Sequence, residues 1–241
     1  MRDDHIDLCG QTDFARTEAM PLLEWQAHFS FACNGCGDCC RGREDIVLSG
    51  FDLWRIAAQL RLPPQIVARG FCRGSIGVVS HLPVLRLAPV KENRNNCPFL
   101  TGNHCAIHDA EPLVCALYPL AQEISREGQV SYFLQPTDCG GQVIEARVED
   151  YLARYDVPAR EPTDVRWALA CMKLEDTVEQ LESRLSPVLV RRMQAKLWQA
   201  LYYDYDPEQT FRPQLERNLH WLEGEFAKLT EYQAKMENRS K

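Results

Sequence analysis

The chain has 241 residues, of which 45% are hydrophobic and 25% charged, a composition typical of a globular protein with a core of ordinary size. Its 34 acidic and 27 basic residues give a net charge of −7, which argues against nucleic acid as a partner because phosphate binding needs a basic face. The polar start lacks the apolar stretch of a signal peptide, and no apolar run reaches the roughly 20 residues that span a bilayer. We therefore expect a cytoplasmic protein without membrane contact.

The first predicted elements are short. Residues 14–29 have helical character and lead into a cysteine-rich loop. A short strand follows, and then a helix for which Ser49 is the predicted N-cap, with Asp52 three residues further on. The adjacent Pro63 and Pro64 are expected to end that helix and to start the next one.

Later elements change from strands to helices near Gly140-Gly141. Residues 84–90 predict a strand, and residues 121–136 predict a hairpin with a glycine-containing turn. Helical patterns then cover residues 142–158, 163–185, 186–206 and 207–236, the last with a break at Pro213. Thr163 and Ser186 are the predicted caps of the second and third of these helices.

These elements predict an α+β protein with a small cysteine-rich metal-binding core of short strands and helices and a mostly α-helical C-terminal segment. We expect residues 1–141 to form the cysteine-cluster domain. Residues 142–241 are expected to form a helical region that packs on it.

Cysteine is the strongest functional signal, with 11 residues in the chain. In a reducing compartment, clustered cysteines indicate metal or redox chemistry rather than disulfide bonds. Eight of them form a C-x2-C-x2-C-C run and a later group of four, and we predict all eight as metal ligands: Cys33, Cys36, Cys39, Cys40, Cys97, Cys105, Cys115 and Cys139. Cys9, Cys72 and Cys171 are expected to be ordinary structural cysteines.

The spacing of the first four cysteines favours an iron–sulfur cluster over zinc or iron ions. A C-x2-C turn lets two thiolates approach one ion, and C-x2-C-x2-C resembles the run that feeds a [4Fe–4S] cluster. An all-cysteine zinc site usually takes two separate C-x2-C turns, whereas here the two turns overlap at Cys36. Neighbouring side chains point in different directions, so we expect Cys39 and Cys40 to serve two metals or a multinuclear centre.

One histidine is placed to add a nitrogen ligand. His108 follows Cys105 at C-x2-H spacing. A polar histidine in a turn is the alternative interpretation, and the sequence leaves the choice open.

The cysteine motifs carry a family resemblance. The segments FACNGCGDCCRG, VLSGFDLWRIAAQL, CPFL, CAIHDAEPLVCALYPL and DCGG, over about residues 31–140, resemble the YkgJ-type CxxCxxCC family, whose domains are described as zinc- or iron-chelating. The resemblance places the eight predicted ligands on the family's cysteines. Where the family commonly has an aromatic residue and two arginines, this chain has His108, Glu111 and Ala116. Those changes keep the sulfur ligands but remove two arginines that could hold an anionic substrate or partner.

The sequence leaves three functions open. We favour a cytoplasmic metal-binding protein with a redox or metal-dependent role. Because some members of the family resemble flagellin lysine N-methylases, a protein-lysine N-methyltransferase-like enzyme that uses the cluster is an alternative. A structural-zinc interaction module, whose helical tail binds an unknown protein partner, is another. The sequence contains no standard catalytic motif, so no catalytic residue is assigned.

Overall fold

A computed structural model describes residues 20–31, 33, 35–137 and 145–239. The α-helices of this part of the chain are α1 (Gly50–Leu60), α2 (Pro64–Phe71), α3 (Leu113–Leu117), α4 (Val148–Arg154), α5 (Val157–Glu182), α6 (Pro187–Trp198) and α7 (Phe211–Arg239). Its strands are β1 (Leu22–Leu23), β2 (His28–Ser30), β3 (Val47–Leu48), β4 (Cys72–Ile76), β5 (Pro83–Leu87), β6 (Leu100–Thr101), β7 (His104–Cys105), β8 (Leu120–Ile124), β9 (Val130–Leu134) and β10 (Glu145–Arg147). Small sheets followed by a helical C-terminal segment confirm the predicted α+β class.

The strands form four small antiparallel sheets in the orders β1-β9-β8, β10-β2, β3-β5-β4 and β6-β7. The central β5 pairs Leu85 with Leu48 on one side and with Gly74 on the other. None of the helices in the described residues combines the length and the apolar character needed to cross a membrane.

Several elements confirm the local sequence signals. Ser49 caps α1 with a full capping box, because its hydroxyl accepts from the Asp52 backbone N–H at 2.9 Å while the Asp52 carboxylate accepts from the Ser49 backbone N–H at 2.9 Å. Pro64 opens α2, and Ser186 occupies the N-cap position of α6. The hairpin of β8 and β9 turns through Gly128 at φ 81°.

Two segments that were predicted as helix contain strands instead. Within the predicted helix at 14–29, residues 20–29 contribute β1 and β2, while residues 14–19 lie outside the described residues. The predicted helix at 142–158 opens as β10, and residues 142–144 lie outside the description. These segments are strands because they pair with strands far away in sequence: β1 pairs with β9, and β2 pairs with β10. A local sequence pattern does not indicate such distant partners.

Two helix starts were also predicted wrongly. α5 begins at Val157, so Thr163 is an interior residue of the helix rather than its cap. Pro162 lies inside α5 close to its start. α7 begins at Phe211, so Pro213 lies in the first turn, where a proline's missing N–H costs nothing, and does not interrupt the helix.

Two hydrophobic cores stabilise the fold. The larger core joins residues before and after position 141, among them Leu48, Leu85, Trp167 and Leu222. The smaller one includes Phe29 with residues of α3, β8 and α4. α5 contributes to both cores. The division into regions 1–141 and 142–241 stays a prediction.

Candidate metal centre

The cysteine loop folds through left-handed glycines. Gly35 and Gly37 have φ values of 67° and 75°, a backbone conformation that residues with a Cβ rarely adopt. Asp38–Cys40 form a 3-10 turn. Arg41 closes the loop, because its Nη1 donates to the carbonyl oxygen of Cys36 and its Nη2 donates to the Asn103 amide oxygen at 2.6 Å.

A hairpin brings the second group of thiols to this loop. The backbone N–H of Cys97 donates to the carbonyl oxygen of Cys40 at 2.8 Å. Strands β6 and β7 turn through Gly102, with Cys105 paired opposite Leu100. Cys97 and Cys105 therefore reach the same side of the loop from a short, tightly bonded turn.

The third segment is α3, which carries Cys115. Its first N–H, of Leu113, donates to Asp52 Oδ1 at 3.0 Å, and Asp52 belongs to the capping box of α1. The carboxylate therefore fixes both the start of α1 and the start of α3. Because Asp52 is buried, the position of Cys115 is set from inside the fold.

Five thiols from these three segments form a cluster, which we call the five-thiol cluster: Cys39, Cys40, Cys97, Cys105 and Cys115. Each thiol senses the charge of at least one other member, and hydrogen bonds run from Cys39 through Cys40 to Cys97. All nine described cysteines of the chain are present as thiols.

The electrostatics of this cluster favour protonated sulfur while no metal is bound. A hydrogen bond to Cys40, and then burial, raise the pKa of Cys39 far above its usual value. The hydrogen bond from Cys39 lowers the pKa of Cys40, but the bond to Cys97 and burial outweigh it and raise that pKa to about 12. Burial raises the pKa of Cys105 and Cys115, and only Cys97 has a lowered pKa, because Cys40 donates to it.

Thiolates are the ligands that zinc and iron–sulfur clusters take in proteins, so this donor set fits either group. Within the part of the chain that the structure describes, no group of three or more His, Cys, Asp or Glu side chains is arranged to hold a metal ion. Binding of a metal ion or cluster would therefore have to deprotonate the five thiols and bring their sulfur atoms closer together.

The vicinal cysteines differ from the sequence expectation. Their sulfurs were expected to point in different directions, but the two Sγ atoms lie 3.9 Å apart. The reason is the tight 3-10 turn, in which successive side chains are rotated by about 120° rather than to opposite faces as in a strand.

The other predicted ligands lie in different settings. Cys33 is exposed and within electrostatic reach of Tyr151 and Tyr155, and Cys36 is half-buried in the loop. Cys139, like the structural candidate Cys9, lies outside the described residues. Of the remaining two, Cys171 is buried in the larger core and Cys72 packs against it.

His108 lies beside the cluster in a turn and pairs with a carboxylate. Its Nδ1 is 3.4 Å from Glu111 Oε2, its ring meets that of Tyr155 edge-on, and 63% of its side chain is exposed. Glu111 is only 14% exposed, and its charge reaches Cys39, Cys105 and Cys115. Glu111 therefore joins the histidine to the electrostatics of the thiols.

A cavity of about 190 Å³ opens next to the five-thiol cluster. Its lining comprises Arg55, His108, Asp109, Glu111, Ala116, Arg154, Tyr155, Asp156 and Arg160. All three positions at which the sequence departs from the resemblance, His108, Glu111 and Ala116, therefore lie in its wall. Sequence reasoning missed this cavity, because its three arginines come from α1, α4 and α5 and share no motif.

A buried ion network forms the floor of the cavity. Arg160 donates to Asp52 Oδ1 at 2.6 Å and to Asp164 Oδ2 at 2.7 Å, and the three side chains are 4% exposed or less. Arg160 Nη1 also approaches the carbonyl oxygen of Glu111 at 3.5 Å. The network thus links α5 to the segment that carries Glu111 and Cys115.

A loop of closely spaced thiols, joined by two further cysteine-bearing segments, is typical of cysteine-rich metal-binding domains. Comparison with known families agrees. Residues 32–140 match the model of the family CxxCxxCC, described as a putative zinc- or iron-chelating domain. No curated protein and no solved structure is significantly similar to the chain.

Proposed function

We propose that the cysteines of residues 33–139 hold an iron–sulfur cluster and that the protein serves a redox or metal-dependent role in the cytoplasm. The observation that carries this proposal is the five-thiol cluster, because a single mononuclear ion takes four ligands in a structural site. Five thiols, each within electrostatic reach of at least one other, with Cys33 and Cys36 in the same loop, are more than one such ion uses.

The remaining three ligands complete the proposal. Cys33 is exposed and Cys36 is half-buried in the same loop, and both would add ligands to a bound cluster. Cys139 is assigned through the resemblance to the family. When bound, the cluster would supply one-electron chemistry, and the protein would tune its potential through backbone N–H groups and burial.

Zinc is the second candidate for the same thiols. Two thiolates on one tetrahedral zinc ion, each about 2.3 Å from the metal, lie about 3.8 Å apart. The separation of the Cys39 and Cys40 sulfurs, 3.9 Å, suits that geometry. A zinc site built on this pair would make residues 32–140 a structural module, and an unknown partner would then bind elsewhere on the protein.

Elemental analysis and an absorption spectrum, on full-length protein purified without air and without a metal-affinity tag, separate the two. Iron with acid-labile sulfide and a broad visible band is the expected result. Colourless protein with stoichiometric zinc would replace the iron–sulfur proposal by the structural one. Protein that contains neither metal would refute both.

The ligand assignment is tested by Cys97→Ser, with Cys72→Ser as the matched control. Both are partly buried thiols near the larger core, but only Cys97 belongs to the five-thiol cluster. We expect Cys97→Ser to lose most of its metal and some of its stability, because metal binding contributes to folding. Cys72→Ser should keep its metal, and equal metal content in the two variants would contradict the assignment.

An enzyme that uses the metal centre, of the protein-lysine N-methyltransferase type or another, is the further alternative. The cavity beside the cluster favours it over a purely structural role, because an open space next to a metal centre can admit a substrate. Turnover of a substrate by the metal-loaded protein, with loss of turnover in Cys97→Ser, would support this alternative.

A further inference from the structure

We propose that the cavity beside the five-thiol cluster binds a small oxyanion, a carboxylate or a phosphate, between Arg55 and Arg154. The two arginines would bind such an anion whichever metal the cysteines hold. The cysteines by themselves do not indicate which kind of ligand the cavity binds.

Arg55 carries the first part of the argument. Its Nη2 donates to the carbonyl oxygen of Asp109 at 2.8 Å, and its guanidinium lies 5.9 Å from the ring centroid of Phe51. Its Nε is buried and has no hydrogen-bond partner. A buried N–H of a charged group without an acceptor is costly. The same side chain lines the cavity, so an anion bound there would supply an acceptor to this guanidinium.

The charges around Arg55 also favour an anion in the cavity. Burial, followed by the neighbouring Arg160, lowers the pKa of Arg55, and the opposing charges of Asp52, Asp164 and Asp156 offset this only in part. Arg160 contributes little net positive charge itself, because it is shared between Asp52 and Asp164. An anion in the cavity would supply the missing compensation.

Arg154 provides the second contact. It ends α4 at the exposed rim of the cavity. Among the described residues, neither Arg154 nor Arg55 forms an ion pair with a carboxylate. Two unpaired guanidinium groups on one small cavity are suited to an oxyanion, since the planar N–H fork matches carboxylate and phosphate oxygens.

The acidic residues of the lining are occupied or peripheral. The carboxylates of Asp109 and Asp156 are exposed, and Glu111 pairs with His108. Burial raises the pKa of Glu111, against the opposing charges of His108, Arg160 and Arg55. Arg55 and Arg154 are therefore the guanidinium groups of the lining that have no ion pair among the described residues.

Its size limits the ligand further. Sites for drug-sized molecules occupy about 300–1,000 Å³, and this cavity is smaller at about 190 Å³. We therefore expect a compact anion rather than a nucleotide. Because Ala116 follows Cys115 directly, an anion bound here lies beside the thiols.

Calorimetric titration of inorganic phosphate and of acetate into the full-length protein as purified, in chloride buffer of constant ionic strength, tests the proposal. The key variant is Arg154→Gln, since an exposed helix-end residue can be changed without harm to folding. Arg55→Gln is the second variant. Arg192→Gln is the matched control, because it removes one exposed arginine from α6, away from the cavity.

We expect one anion per chain, with affinity lowered about ten-fold or more by Arg154→Gln and by Arg55→Gln and unchanged by Arg192→Gln, because a hydrogen bond to a charged group contributes about 1.5–3 kcal/mol. Binding of acetate alone would assign a carboxylate, and binding of phosphate alone a phosphate. No saturable binding of either anion, or equal affinity in Arg154→Gln, would overturn the proposal. The same would follow if ammonium or a divalent cation bound there instead.

Metal content is measured on the same samples. Metal-containing protein that binds no anion would refute the cavity proposal and leave the metal proposal standing. Anion binding to protein without metal would refute the metal proposal and leave the cavity proposal standing.

Discussion

At the scale of single residues, one guanidinium holds two carboxylates in the interior. Arg160, Asp52 and Asp164 are all nearly inaccessible to solvent. Such a network costs a large desolvation energy, which is offset only while every member is present. Asp52 in addition accepts from Leu113, so this network supports the segment that carries Cys115.

Removal of the guanidinium should therefore be costly. We expect Arg160→Met to lower the free energy of unfolding by about 3–5 kcal/mol, because it leaves two buried carboxylates without their cation. Arg166→Met, six residues further along α5, breaks only a partly exposed ion pair with Glu216 and should cost about 1 kcal/mol or less. Urea denaturation measures both, and equal costs would show that the buried network is not stabilising.

Asp164 should make stability depend on pH. Burial raises its pKa to about 6, against the opposing effect of Arg160, whereas an unfolded aspartate titrates at about 3.9. The folded state therefore holds this proton more tightly. The stability that it contributes is fully present below about pH 4 and is lost as the pH rises through about 6.

The substitution Asp164→Asn removes this dependence, because an amide does not ionise. We expect the stability of the variant relative to the unsubstituted protein to rise by about 2–3 kcal/mol between pH 4 and pH 7. Urea denaturation of both proteins across this range measures the difference. A difference that is constant with pH, or that falls as the pH rises, would contradict the raised pKa.

Single residues show how far sequence reasoning reaches at the site. The cysteines were identifiable because C-x2-C spacing is a local signal, and the family match supports their domain. Arg55 and Arg154 were not, since they lie 99 positions apart in sequence and line one cavity only because α1 and α4 both contact α5. The close approach of the Cys39 and Cys40 sulfurs also depended on a turn type that the sequence did not reveal.

At the scale of elements, α1 starts against a crowded surface. A Cβ on Gly50 would lie 2.2 Å from the carbonyl oxygen of Leu201 and 2.5 Å from the Trp167 ring. Leu201 belongs to the π-helical turn Gln199–Tyr203 that follows α6. The first residue of α1 thus fixes how closely this helix approaches two C-terminal elements.

Gly50→Ala should accordingly destabilise the protein by about 1–3 kcal/mol or more, through overpacking against backbone that cannot move aside. Gly224→Ala is its counterpart in α7, where a Cβ meets nothing within 4 Å. That change should stabilise by about 0.5–1 kcal/mol through helix propensity. Melting temperatures of the two variants should therefore shift in opposite directions, and a shared direction would show that the contact at Gly50 is not restrictive.

Elements with a local cause were predictable, and those with a distant partner were not. The capping box of α1 and the β8–β9 hairpin each depend on residues within a few positions. β1 exists only because β9 lies beside it, more than a hundred residues later. The start of α5 was misplaced because the helix contains Pro158 at its start and Pro162 in its interior, where a proline usually marks a helix boundary.

At the scale of the whole molecule, the larger core draws on both halves of the chain. Leu48 and Leu85 of the cysteine-bearing half share it with Trp167 and Leu222. Without the C-terminal helices, these residues would lose most of their apolar partners. Residues 1–141 alone would then have less buried surface to offset the entropy of folding.

We therefore expect a fragment of residues 1–141 to show no cooperative unfolding transition, with or without added metal. Circular dichroism during thermal denaturation, compared with the full chain, measures this. A sharp transition in the fragment would instead establish residues 1–141 as an independent domain.

The long helix α5 determines how far the stabilising effect of a bound molecule extends through the protein. Its 26 residues, Val157–Glu182, extend for about 39 Å. Arg160 near its start lines the cavity, Val178 near its end belongs to the larger core, and Ala168 and Met172 belong to the smaller core. Because this one helix belongs to both cores, we expect the two cores to unfold cooperatively. Whatever occupies the cavity would then protect amides throughout the protein from exchange with solvent, and not only those of its own wall.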